Sequence, residues 1–123
     1  MQWDVIYTYT RRQAIEDGVL IEVSNLARQA GYKWPVALTS NLYHTYINPT
    51  ENLKPYGQSD IGRLWDVLNV LRVKAQNSSG TTVLFQVSFL MEIDRMEEIT
   101  LKAIAGPGDE GEPVITIMTP EED

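Results

Sequence analysis

The hydrophobic period of this chain switches from helical to alternating within a few residues, and that switch constrains how its C-terminal half can fold. Ile61, Leu64, Trp65, Leu68 and Leu71 recur at three- and four-residue intervals, the spacing that gathers side chains on one face of an α-helix. Val67 and Val70 widen the stripe, so the helix is expected to be buried on more than one side, with Trp65 in the core and Asp60, Arg63, Asp66 and Asn69 on its wet face. It starts at Asp60 and should fray by Gln76, because Asn77-Ser78-Ser79-Gly80 is a compact turn signal. Val83, Phe85, Val87, Phe89 and Met91 then alternate with Leu84, Gln86, Ser88 and Leu90, which places one apolar side of a strand toward the core. Ile99 to Ala105 and Val114 to Thr119 are two further β-rich runs, with reversals expected at Asp94-Arg95-Met96 and at Gly106 to Gly111.

The fold class that follows is α+β: an antiparallel β-meander in the C-terminal half packed against one long helix, with short N-terminal helices and strands. Trp3 to Tyr9 has the alternation of a half-buried strand. Thr10 and Gln13 have the spacing of a capping box for a short helix that leaves through Gly18. Val19 to Val23 is a second apolar run, Ser24 is placed to cap a helix through Ala30, and Gly31 ends it. Pro35 to Thr39 reads as extended, and Ser40 or Thr39 could cap a third helix carrying Leu42, Tyr43, Tyr46 and Ile47. Asn48 to Ser59, rich in polar residues with two prolines, reads as a surface connection. At 123 residues there is room for one domain, residues 1–118, followed by an acidic tail, 119–123, expected to be poorly ordered.

Composition excludes several function classes. The chain has no cysteine, hence no disulfide framework and no thiolate metal site. The N-terminus has no basic region followed by an apolar run, and no stretch approaches the about eighteen apolar residues of a membrane span, so no membrane association and a cytoplasmic location are expected. Net charge is −7, and ten acids from Glu92 onward face only Arg95 and Lys102, while the preceding residues are almost neutral. A phosphate backbone is repelled from such an end, which argues against direct nucleic-acid binding through the C-terminal third.

The candidate chemical groups are few. His44 is the only histidine, which excludes a multi-histidine metal site. As a base it would need carboxylates such as Asp17, Glu16 or Asp66 to meet it in a cleft between the N-terminal helices and the sheet. Glu92, Asp94, Glu97 and Glu98 surround one reversal, but their spacing matches no calcium loop, and acids at hairpin ends commonly serve solubility. The Gly106 to Pro113 segment lacks the Lys-Ser/Thr ending of a phosphate loop, and Asp109, Glu110 and Glu112 would repel a phosphate. No metal and no cofactor are expected. All three tryptophans and all six tyrosines lie between residues 3 and 65, and Tyr32, Trp34, Tyr43 and Tyr46 are the candidates for an exposed aromatic surface.

Three blocks carry a family resemblance: Ile6-Tyr7 through Ala14-Ile15-Glu16-Asp17-Gly18-Val19-Leu20, then Gly62 to Leu68, then Ala105 to Met118. In this order they resemble a domain-of-unknown-function family of small bacterial proteins often carried on plasmids, phages and integrated elements. Members often have a cysteine near Ala105, and its absence here argues against a thiol mechanism. The resemblance implies a mobile-element accessory protein and assigns no catalytic residue. With the acidic C-terminal surface, it leads to the expectation of a noncatalytic protein-binding accessory protein that engages a basic or nucleic-acid-binding partner by electrostatic complementarity. The alternatives are an enzyme of unfamiliar type using His44 with nearby carboxylates, and a small-molecule-binding module lined by Tyr and Trp. Exposed edge strands of a three-stranded meander, or a shared aromatic face, would also permit a homodimer.

Overall fold

In a computed structural model, residues 9–122 are described; the strand expected over Trp3 to Tyr9 lies, apart from Tyr9, outside them. The N-terminal helix α1 (Arg11–Glu16) forms where the capping box places it. Thr10 Oγ1 accepts from the Gln13 amide at 3.0 Å, and Gln13 Oε1 accepts from the Thr10 amide at 2.9 Å. Strand β1 (Leu20–Glu22), helix α2 (Ser24–Gln29) and strand β2 (Val36–Thr39) follow. The Ser24 hydroxyl does not cap α2. It donates to Glu22 Oε2 at 2.9 Å and accepts from the Val36 amide at 3.1 Å, tying β1 to β2. Thr39 caps α3 (Ser40–Leu42), which continues into a π-turn at Tyr43–Ile47. The connection expected over Asn48 to Ser59 contains a 3-10 turn, Glu51–Tyr56, anchored by buried Leu53. Helix α4 (Asp60–Gln76) precedes β3 (Thr82–Glu92), β4 (Arg95–Pro107) and β5 (Pro113–Met118).

The meander β3-β4-β5 is antiparallel, and α4 packs against it. Among the described residues the sheet has five strands rather than three, in the order β1-β2-β5-β4-β3, because β2 lies beside β5 in parallel register, Val36 opposite Ile115 and Leu38 opposite Ile117. Burial shows why both strands sit inside the sheet. Val36, Ala37 and Leu38 are buried in succession, and Val114, Ile117 and Met118 are buried on both faces of β5, the pattern of strands covered on two sides. On one face Phe85, Val87, Phe89, Leu101, Ala103 and Ile117 meet Leu64, Val67, Leu68 and Leu71 of α4. On the other, Arg11 of α1 donates to Thr116 Oγ1 at 2.7 Å and to the Ile115 carbonyl at 2.9 Å.

Four residues of α4 depart from the stripe reading, two of them Ile61 and Val70, which are 59% and 36% exposed, outside the buried row that faces the sheet. Trp65 is 36% exposed, on the flank of the buried row rather than in the core. Arg63, expected on the wet face, is 4% exposed, because it stands four and eight residues before Val67 and Leu71 and begins the same buried row. Its guanidinium lies 5.2 Å from the Phe89 ring centroid and donates to Gln58 Oε1, the Tyr46 carbonyl and the Leu90 carbonyl. Burial lowers its pKa below the ordinary arginine value.

The tail expected to be poorly ordered is docked. Thr119 is buried, and Glu122 Oε2 accepts from the Thr119 amide at 2.9 Å, the Thr119 hydroxyl at 2.8 Å and the Thr39 hydroxyl at 2.9 Å. Lys102 Nζ donates to the Glu122 carbonyl. Asp123 is outside the described residues.

Replacing Arg63 with alanine leaves the carbonyls of Tyr46 and Leu90 without their donor and is expected to cost about 2–4 kcal/mol in urea unfolding. Partial burial pushes the Glu122 pKa up, but the hydrogen bonds from Thr119, Thr39 and Asn41 outweigh it and hold the carboxyl below its ordinary value. Its stabilisation is therefore present above the unfolded glutamate pKa of about 4.3 and lost as pH falls through the lower folded value. Thermal unfolding should show Glu122→Gln melting below the parent at neutral pH, with the gap closing in acid.

Candidate functional site

Helix α4 runs over β3, at one side of the sheet, so the central strands need other cover. Part of it comes from the loop between α2 and β2. Gly31, at φ +100°, turns the chain back over α4, and its α-carbon faces the Arg72 guanidinium so closely that a β-carbon would stand 3.0 Å from Arg72 Nε. The turn delivers Tyr32 and Trp34. The Tyr32 hydroxyl donates to the Leu68 carbonyl at 2.7 Å, and burial pushes its pKa up against the opposing pull of Arg72. Trp34 is 45% exposed.

Between this loop and α4 lies a groove of about 270 Å³, with Tyr32, Trp34, Leu71, Val83 and Ile115 among its walls. It exists because the side chains at its base are short. Ala75, Gly80, Ala103 and Ala105 line it too, and none of them reaches across the gap that a larger residue would fill. Among the described residues the Tyr32 phenol is its one ionisable lining group.

The aromatic candidates therefore divide. Tyr32 and Trp34 share the groove, whereas Tyr43 and Tyr46 lie near the start of α4. There Tyr43 donates to Asp60 Oδ2 at 2.9 Å and the Tyr46 carbonyl serves Arg63. His44 is exposed in the π-turn, its ring edge-on to Tyr43 at 5.2 Å between centroids. Asp17 accepts from the Tyr9 hydroxyl at 2.8 Å, Glu16 lines a cleft beside Arg12 and Pro35, and Asp66 is exposed on α4. Among the described residues no hydrogen bond joins His44 to any of these acids. No three His, Asp or Glu side chains among them assemble to hold a metal ion.

The acidic candidates occupy both ends of β4. At the hairpin between β3 and β4, Glu92 and Glu97 each lie 3.2 Å from Arg95, and Asp94 and Glu98 are exposed. At the β4–β5 turn, Asp109 accepts from the amides of Arg11 and Arg12 at 2.7 and 3.0 Å, so it helps to cap α1. Those bonds hold its carboxyl below the usual range. Glu112 accepts from the Glu110 amide at 2.9 Å, and both side chains face solvent. This second group stands at the same end of the sheet as the groove, because Ala105 and Ile115, which line the groove, pair two residues before the turn-flanking Pro107 and Pro113.

The model of a family of unknown function (DUF6573) matches residues 2–123. The chain belongs to that family. No curated protein and no solved structure matches it. In this DUF6573 member, no helix among the described residues is long and apolar enough to cross a membrane. The groove was not evident in the sequence, where the small residues that leave it open, Ala75, Gly80, Ala103 and Ala105, are scattered over three segments.

Tyr32→Phe removes the bond to the Leu68 carbonyl while keeping the ring in place, and urea unfolding is expected to show a loss of about 1 kcal/mol.

Proposed function

We propose that this chain is a noncatalytic accessory protein of a mobile genetic element, acting in the cytoplasm by binding another protein. The groove takes one apolar side chain of the partner against Tyr32 and Trp34. Glu110 and Glu112, at the same end of the sheet in the cleft beside Arg11 and Arg12, attract basic residues of the partner beyond that anchor. The observation that carries the reading is the groove itself, whose walls are apolar and whose rim presents an exposed tryptophan. Buried aromatic anchors in apolar pockets dominate protein–protein binding energy, and charges at the rim mainly accelerate and orient association.

Size favours a protein side chain over a free small molecule. At about 270 Å³ the groove falls below the roughly 300–1,000 Å³ of typical small-molecule sites. A net charge of −7 supports a basic protein surface rather than a nucleic acid as the partner. The mobile-element context rests on the resemblance carried by the three sequence blocks.

Selection of random displayed peptides against the chain tests the proposal. The expected winners carry an aromatic or aliphatic anchor next to Lys or Arg, lose affinity as salt rises, and bind Trp34→Ala at least about tenfold more weakly. Winners without basic residues, or binding that survives Trp34→Ala, would count against it.

A further inference from the structure

Among the described residues β3 is the outer strand of the sheet, and the geometry of its free edge can be read residue by residue. The Ala105 amide donates to the Thr81 carbonyl at 2.8 Å, which makes that facing pair a hydrogen-bonded one. Since such pairs alternate along an antiparallel ladder, Val83, Phe85 and Val87 turn their backbone groups toward β4. Thr82, Leu84, Gln86 and Ser88 turn theirs outward. At Leu90 the outward carbonyl is taken by Arg63, which closes that end. From Thr82 to Ser88 no side chain among the described residues bonds to the outward groups.

This edge lacks the usual protection. No charge, proline or bulge interrupts Thr82 to Ser88, whereas exposed edges normally carry at least one. The flank of α4 beside it exposes two valines between Asp66 and Lys74. Val70 and Val73 are 36% and 58% exposed, and Val70 and Lys74 line the same depression as Leu84, Phe85 and Gln86, with Glu98 and Thr100 of β4.

We propose that this edge pairs with the same edge of a second copy, antiparallel, about a two-fold axis at Phe85. Leu84 then faces the partner's Gln86, Thr82 faces the partner's Ser88, and the two sheets become one. Three observations favour a second copy over another occupant. Asp66 and Lys74 stand four residues either side of Val70 on one flank of α4, so a two-fold at Val70 sets Asp66 against the partner's Lys74, twice. Val70 and Phe85 line one depression, so a single axis serves both the helix layer and the strand layer. A chain of net charge −7 approaches its own copy most readily where charge is low, and the Thr82 to Ser88 edge itself is uncharged, with Asp66 and Lys74 balancing on the helix flank.

Sedimentation equilibrium of the full chain, its fold checked by circular dichroism, tests this. The expected mass is twice the 13.9 kDa of one chain. Asp66→Lys and Lys74→Asp, both at exposed positions, should each weaken the dimer at least about tenfold by opposing like charges. Mixing the two variants in equal amounts should restore it, because each reversed site then meets its opposite. A monomeric parent chain overturns the proposal. So does a dimer that neither reversal weakens, or a mixture that stays dissociated.

Discussion

The placement of α4 along β3 is the constraint from which the rest of the structure follows. An α-helix with its side chains is about 10 Å across and neighbouring strands are about 4.8 Å apart, so one helix covers roughly two strands of a five-stranded sheet. Ala27 of α2 and Ala30 just after it, and Leu42 and Ile47 of the α3 segment, extend the cover over the remaining strands. Where the two sets of cover fail to meet, above Ala103 and Ala105, the aromatic-rimmed groove is left. On its other side α4 exposes Val70 and Val73 beside a bare strand edge. Both candidate surfaces therefore arise from one packing decision.

Charge in this molecule divides into groups that hold the fold and groups that are free to act. Arg63 joins α4, the π-turn and the β3 edge through carbonyl oxygens, without a carboxylate partner among the described residues. Glu122 ties the end of the chain to Thr39, and Asp109 holds the start of α1 against the β4–β5 turn. These three are committed to structure. Glu110, Glu112, Asp94 and Glu98 face solvent, at opposite ends of β4, so the acidic character of the C-terminal third is spread over two separate tips. The β4–β5 tip shares its end of the sheet with the groove, and Glu110 and Glu112 line the cleft beside Arg11 and Arg12 there.

Much of the fold was legible in the sequence because its signals are local. The three- and four-residue spacing of Leu64, Leu68 and Leu71, the alternation of Phe85, Val87 and Phe89, and the Thr10–Gln13 capping box each act within one element. The parallel pairing of β2 with β5 was not legible, since strands so distant in sequence leave no local mark of their register. The charge of Arg63 suits a wet face, but its position in the 63–67–71 row places it inward. The docking of the tail is illegible for a related reason: besides the local Thr119, Glu122 meets Thr39 and Lys102, which only the folded sheet brings near. Tyr32 and Trp34 were legible as candidates, but the groove between them and α4 depends on what small residues leave unfilled, and no residue pattern announces a void.

Amide hydrogen exchange along β3 in dilute solution tests the placement of this strand most directly. With β3 at the sheet margin, the amides of Phe85 and Val87 should exchange slowly, and those of Leu84, Gln86 and Ser88 quickly. Uniformly slow exchange at all five, in a chain shown to be monomeric at that concentration, would mean that another strand lies along β3 and would contradict this architecture.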